Sequence, residues 1–144
     1  MNLARPLAGR RLLVTGGHRR LGRAIALHLA EQGADVAISC RAGQGEAERT
    51  VNDIAALGVR SLWQRCELTD HGEIDLLVQG IADAWGGLDG VVASAASYRP
   101  SRATAAAGVD APTILQENAW GPVQLVLAAQ PYLAQSPDGR AVLL

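Results

Sequence analysis

The stretch LLVTGGHRRLGRAIALHLAEQG, residues 12–33, changes character twice within a few positions. It opens as a short apolar run of the kind a buried strand makes. It closes as a helix-period segment, with Leu21, Ile25 and Leu29 in phase and Gly33 as the stop. Between the two lies a turn that carries Gly16 and Gly17, then His18, Arg19 and Arg20, then Gly22. A strand that runs through a glycine turn directly into a helix is the opening unit of an alternating α/β chain.

The remaining sequence keeps that alternation. ADVAISC (34–40) reads as a second strand, and EAERTVNDIAALG (46–58) as a helix with Val51, Ile54 and Ala55 on one face and Gly58 as its stop. VRSLWQRC (59–66) is a third strand. TDHGEIDLLVQGIADAWGG (69–87) is the plainest helix. Asp70 is its N-cap and Glu73 stands at capping-box spacing, ahead of an apolar stripe of Ile74, Leu77, Val78, Ile81, Ala82 and Trp85. A fourth strand follows over residues 90–96, then a long helix over 112–133 in which Pro122 predicts a kink or tight packing. A fifth strand, GRAVLL (139–144), closes the chain, and residues 101–112, small and polar, read as a mobile loop. The expected fold is a doubly wound, Rossmann-like α/β domain with a parallel sheet of about five strands in order 3-2-1-4-5 and helices on both faces. Residues 1–144 form one such domain, which stops within its fifth strand.

Bulk properties narrow the function. A chain of 144 residues with 49% hydrophobic and 19% charged residues is globular, and its net charge of −1 gives no general attraction to nucleic acid or to an anionic membrane. No segment has the length and apolarity of a membrane span or of a secretory signal. Cys40 and Cys66 have no partners at zinc spacing and read as buried thiols in a reducing, cytoplasmic setting, so no metal is expected.

In a doubly wound sheet the first strand-to-helix turn lies at the carboxyl edge, where ligands bind. Gly16 permits the turn, and Gly22 lets backbone or phosphate come close to the helix. The amides that open the helix suit a pyrophosphate. At the end of the second strand, where an acid would bind a ribose 2′-hydroxyl, the sequence is SCRAG, with Arg41 and no acid. Together with Arg19, Arg41 points to NADP(H) in preference to NAD(H).

The turn TGGHRRLG, the basic end of the second strand and the later QENAWGP resemble the short-chain dehydrogenase/reductase superfamily, and the resemblance runs in register over essentially the whole chain. The family turn is TGxxx[Gly/Ala]xG. Arg20 replaces its middle small residue, which is similar to the pteridine-reductase-like branch. The resemblance implies that Thr15, Gly16 and His18 begin a cofactor loop and that Arg19, Arg20, Leu21 and Gly22 line the phosphates. It further implies that Arg41 meets the 2′-phosphate and that Glu67 and Leu68 flank the adenine. Ala93, Ser94 and Ala95 fall on the family's NNAG segment, with both asparagines gone. Asn118 matches the asparagine that holds a water in a proton relay. Tyr98 falls where members of the branch stack an aromatic on the substrate; anchoring of its loop is the alternative.

The family's catalytic serine and Tyr-x-x-x-Lys pair lie beyond the fifth strand, and this sequence has no lysine. The expectation is therefore the cofactor-binding part of an NADP(H)-dependent oxidoreductase that reduces a carbonyl or pterin-like substrate, inactive on its own. The alternatives are a non-catalytic NADP(H)-binding or protein-interaction module and a structural subunit. The apolar fifth strand, at a sheet edge, and Ile114, Leu115, Val123, Val126 and Leu127 on the long helix imply a homo-oligomer or a complementing chain.

Overall fold

The computed structural model describes residues 5–98 and 110–144. Its elements run β1 (Arg11–Thr15), α1 (Arg20–Glu31), β2 (Asp35–Cys40), α2 (Gln44–Ala56), β3 (Ser61–Arg65), α3 (His71–Trp85), β4 (Gly90–Ala93), α4 (Ala111–Leu115), a π-helical turn (Gln116–Trp120), α5 (Gly121–Leu133) and β5 (Arg140–Leu143). All the strand pairs are parallel, in the order β3-β2-β1-β4-β5.

Neighbouring residues of a strand face opposite sides, and the two faces build separate cores. Val14, Val36 and Ile38 pack with Ala26, Ala30 and Ile54 of α1 and α2, whereas Leu13, Ala37 and Val91 pack with Ile74, Leu77, Ile81 and Leu125 of α3 and α5. The helices that follow β1 and β4 therefore leave the sheet on opposite faces. Between these adjacent strands a crevice opens at their carboxyl ends, the topological switch point of such sheets.

Several local expectations are corrected. On α1 the buried stripe is Gly22, Ala26 and Ala30, while Leu21 is exposed. The helix lies close to the sheet, so small residues fill the contact and larger ones flank it. On α2 the buried residues are Ala47, Thr50 and Ile54, and Ala55 faces outward. The Asp70 cap of α3 forms, accepting from the Glu73 amide at 3.1 Å. Glu73, however, does not close the box, because its carboxylate accepts from the Glu67 amide at 2.7 Å and from Arg65 at 2.8 Å. β4 ends at Ala93, three residues early. The long helix is divided by the π turn just before Pro122, which has no amide to donate back into an α-helical ladder. Most of residues 101–112 lie outside the described residues; within that span Asp110 caps α4, accepting from the Thr113 amide at 3.2 Å.

The amino ends of three strands meet at one residue. Asp89, 4% exposed, accepts from the Arg11 amide at 2.9 Å, from Arg11 Nε at 2.8 Å, and from the Ser136 hydroxyl at 2.7 Å. Its own carbonyl accepts from the Arg140 amide at 3.0 Å. These bonds tie the starts of β1 and β5 and the end of α5 to the residue that precedes β4. Hydrogen bonding from Arg11 holds the Asp89 carboxyl well below the usual carboxylate range, against the opposing effect of its burial. A depressed folded value adds stability above the unfolded value of about 3.9, and that stability is lost as pH falls through the folded value. Asp89→Asn is expected to destabilise the fold by about 2–4 kcal/mol at neutral pH and to flatten the loss of stability below pH 4, read by urea unfolding across pH. A variant as stable as its parent would contradict this role.

Candidate functional site

The β1–α1 turn reaches the carboxyl edge beneath α1. Gly16 has φ +68 and donates its amide to the Ser39 carbonyl at 2.8 Å, and a Cβ there would lie 3.0 Å from Ala95 Cα. At Gly22 a Cβ would overlap the Gly16 carbonyl oxygen, so the first turn of α1 packs directly on the turn that feeds it. Arg20 adopts φ +50, a left-handed conformation unusual for a side chain of its size. Arg19 occupies the N-cap of α1 without a capping side-chain bond, and no acid stands in the first turn. α3 and α4 each have an aspartate in that role. The start of α1 is thus electropositive, with donors that no side-chain cap takes.

Behind the turn, Thr15 is fully buried. Its hydroxyl accepts from the Ser94 amide at 3.1 Å and from the Ala95 amide at 3.2 Å. That pairing explains why β4 stops early: the chain beyond Ala93 bonds to a side chain instead of to a strand. Ser97 is then clamped by Asn118, whose Oδ1 accepts from the Ser97 amide at 2.7 Å while its Nδ2 donates to the Ser97 carbonyl at 2.8 Å.

One cleft of about 370 Å³ opens at this edge. Gly16, His18, Arg19, Arg20, Leu21, Gly22, Arg41, Glu67, Leu68, Ser94 and Ala95 all line it. Thr15 and Ala93 are buried below it, and Asn118 supports its wall through Ser97. Tyr98 is 87% exposed at the end of the described segment. Glu117, to which no sequence motif assigns a role, also lines the cleft. It sits in the π turn at 8% exposure and accepts from Arg41 Nη1 at 3.2 Å, while Arg41 Nη1 also stands 3.7 Å from Glu67 Oε2. Residues 41 and 117 are far apart in sequence and lie on unlike elements, so no local pattern announces their pairing.

Burial, aided by Arg19, lowers the His18 pKa, which favours the neutral imidazole, and its Nδ1 is buried without a hydrogen-bond partner. Burial also pushes the Cys66 thiol up to about 12 and raises that of Cys40. The two thiols belong to cores on opposite faces of the sheet. Among the described residues no cluster of His, Cys, Asp and Glu is placed to hold a metal ion, and no helix is long and apolar enough to cross a membrane. The features that remain fit a dinucleotide: a glycine turn packed backbone to backbone against the start of α1, an uncapped helix start, and three arginines lining the cleft.

Comparison with known proteins agrees with this geometry. The family model described as short chain dehydrogenase matches residues 10–144. The chain is 29% identical over 132 residues to the 3-oxoacyl-[acyl-carrier-protein] reductase FabG of Staphylococcus aureus, covering 92% of this chain and 54% of that protein. A short chain dehydrogenase from Burkholderia cenocepacia in complex with NADP superposes with a TM-score of 0.82 at 34% identity, over 88% of this chain and 52% of that one. One from Mycobacterium paratuberculosis bound to NAD superposes with a TM-score of 0.88 at 25% identity, over 95% and 55%. The chain spans about half the length of these relatives.

Thr15→Val preserves the shape of the side chain but removes the acceptor for two amides. It is expected to lower stability by about 1–3 kcal/mol, with Thr15→Ser largely retaining it, as read by urea unfolding. Equal stability of Thr15→Val and its parent would contradict the assigned role.

Proposed function

Because this chain belongs to the short-chain dehydrogenase family, we propose that it forms the cofactor-binding part of an NADP(H)-dependent oxidoreductase that reduces a carbonyl group of a small molecule. The observation that carries this reading is the uncapped start of α1 facing the same cleft as Arg19, Arg20 and Arg41. The amides that open α1 bind the pyrophosphate, and Gly16 and Gly22 let the turn pack closely enough to hold those amides at the cleft. Arg41, with Arg19, holds the 2′-phosphate. Leu68 and Glu67 flank the adenine, and the segment from Ala93 to Ala95, fixed by Thr15, forms the floor. The bound cofactor would supply the hydride.

Asn118 contributes to the proton relay through its backbone. Its side-chain amide is committed to Ser97, and Pro122 has no N–H for the Asn118 carbonyl that an α-helical turn would pair with it. These 144 residues hold no lysine to partner a catalytic tyrosine, so on this reading the general acid is supplied by other sequence and the 144 residues alone are inactive. Arg20 in the turn and Tyr98 after β4 support the pteridine-reductase-like branch, with a pterin-like substrate over Tyr98. The protein acts in the cytoplasm as an oligomer. Leu115, Trp120, Val123 and Leu127 form the apolar face that is covered, each at least 38% exposed in the single chain. Sedimentation of the full-length protein is expected to give a multiple of the protomer mass, and a monomer at all concentrations would refute the assembly.

Arg41→Gln in the full-length protein is expected to weaken NADPH binding about tenfold or more and to leave NADH binding little changed, by calorimetric titration. Equal losses for both cofactors would contradict a 2′-phosphate seat at Arg41.

A further inference from the structure

Arg41 is already engaged. Its guanidinium spans the cleft between two carboxylates, donating to Glu117 at 3.2 Å and standing 3.7 Å from Glu67. The three residues come from different segments: the loop after β2, the loop after β3, and the π turn. Glu117 is the one buried residue of that turn, with its side chain 9% exposed against 56% for Arg41. Of the two partners, Glu117 is the fixed one and Arg41 the one that can move.

A 2′-phosphate that enters this cleft meets a cation shared by two acids. It must draw the guanidinium away from Glu117, and it must bring two negative charges close to Glu117 and Glu67. The neutral 2′-hydroxyl of NAD(H) meets neither obstacle. From this geometry we infer that Glu117 is a specificity-determining residue that opposes the 2′-phosphate by competing for Arg41, so that discrimination between NADP(H) and NAD(H) is narrower than Arg41 alone would set. The inference rests on the reading that this cleft binds the dinucleotide with its 2′-phosphate at Arg41. Part of the opposition is screened by solvent, because Arg41 is more than half exposed.

The test is a comparison of NADPH and NADH dissociation constants, by calorimetric titration of the full-length protein, for the parent, Glu117→Gln and Arg41→Gln. The amide of Glu117→Gln is isosteric and still accepts from Arg41, but carries no charge. It is expected to tighten NADPH about three- to tenfold and to leave NADH unchanged. The unchanged NADH affinity reports an intact cleft. Weaker NADPH binding, or parallel changes for both cofactors, would overturn the inference while Arg41→Gln still lost NADPH selectively. An Arg41→Gln variant with an unaltered NADPH-to-NADH ratio would instead overturn the 2′-phosphate seat on which the inference stands.

Discussion

The Thr15 hydroxyl, buried at the end of the central strand and accepting two amides from the chain that leaves β4, is the bond pair on which the cleft depends. β1 and β4 are neighbours whose following helices lie on opposite faces of the sheet. Without a tie between them, the edges of the crevice would be set only by two diverging loops. Thr15 stops the β4 ladder at Ala93 and turns the next residues toward the β1–α1 turn. Gly16 then packs against Ala95, and Gly22 packs against Gly16, so the start of α1 is held over the cleft through backbone contacts. Few side chains intervene, which leaves the helix donors facing open space.

Stability and ligand chemistry sit at opposite ends of the same sheet. At the amino ends Asp89 gathers β1 and the end of α5 around its carboxylate and holds the start of β5 at its main-chain carbonyl. At the carboxyl ends the groups around the cleft are less completely satisfied: the amides that open α1 have no side-chain cap, and His18 has a buried nitrogen with no hydrogen-bond partner. Well-satisfied groups fix the fold, whereas incompletely satisfied ones are where a ligand gains most by binding.

Much of this was legible in the sequence because it follows from local periodicity. The alternation of strands and helices, the apolar stripe of α3 and its Asp70 cap need only alternating patterns and short spacings, and the strand order follows once that alternation is taken as a doubly wound sheet. Of the large apolar residues in phase on α1, Ile25 and Leu29 pack against the core and Leu21 is exposed, because close packing against the sheet selects Gly22, Ala26 and Ala30 for the buried stripe. Glu73 stands at capping-box spacing, but Arg65 and the Glu67 amide compete for its carboxylate more effectively. The sequence places Thr15 in a cofactor loop, and its bonds to the chain after β4 arise only because two strands far apart in sequence lie side by side. Glu117 left no trace, since its meaning comes from an arginine on another element and from the wider turn that carries it.

The most direct measurement is a crystal structure of the full-length protein grown with saturating NADP⁺. The expected result is a dinucleotide in the switch-point cleft, its diphosphate hydrogen-bonded to the amides that open α1 and its 2′-phosphate beside Arg41. A dinucleotide seated elsewhere, or none bound at saturation, would contradict the reading of this turn as a cofactor cradle.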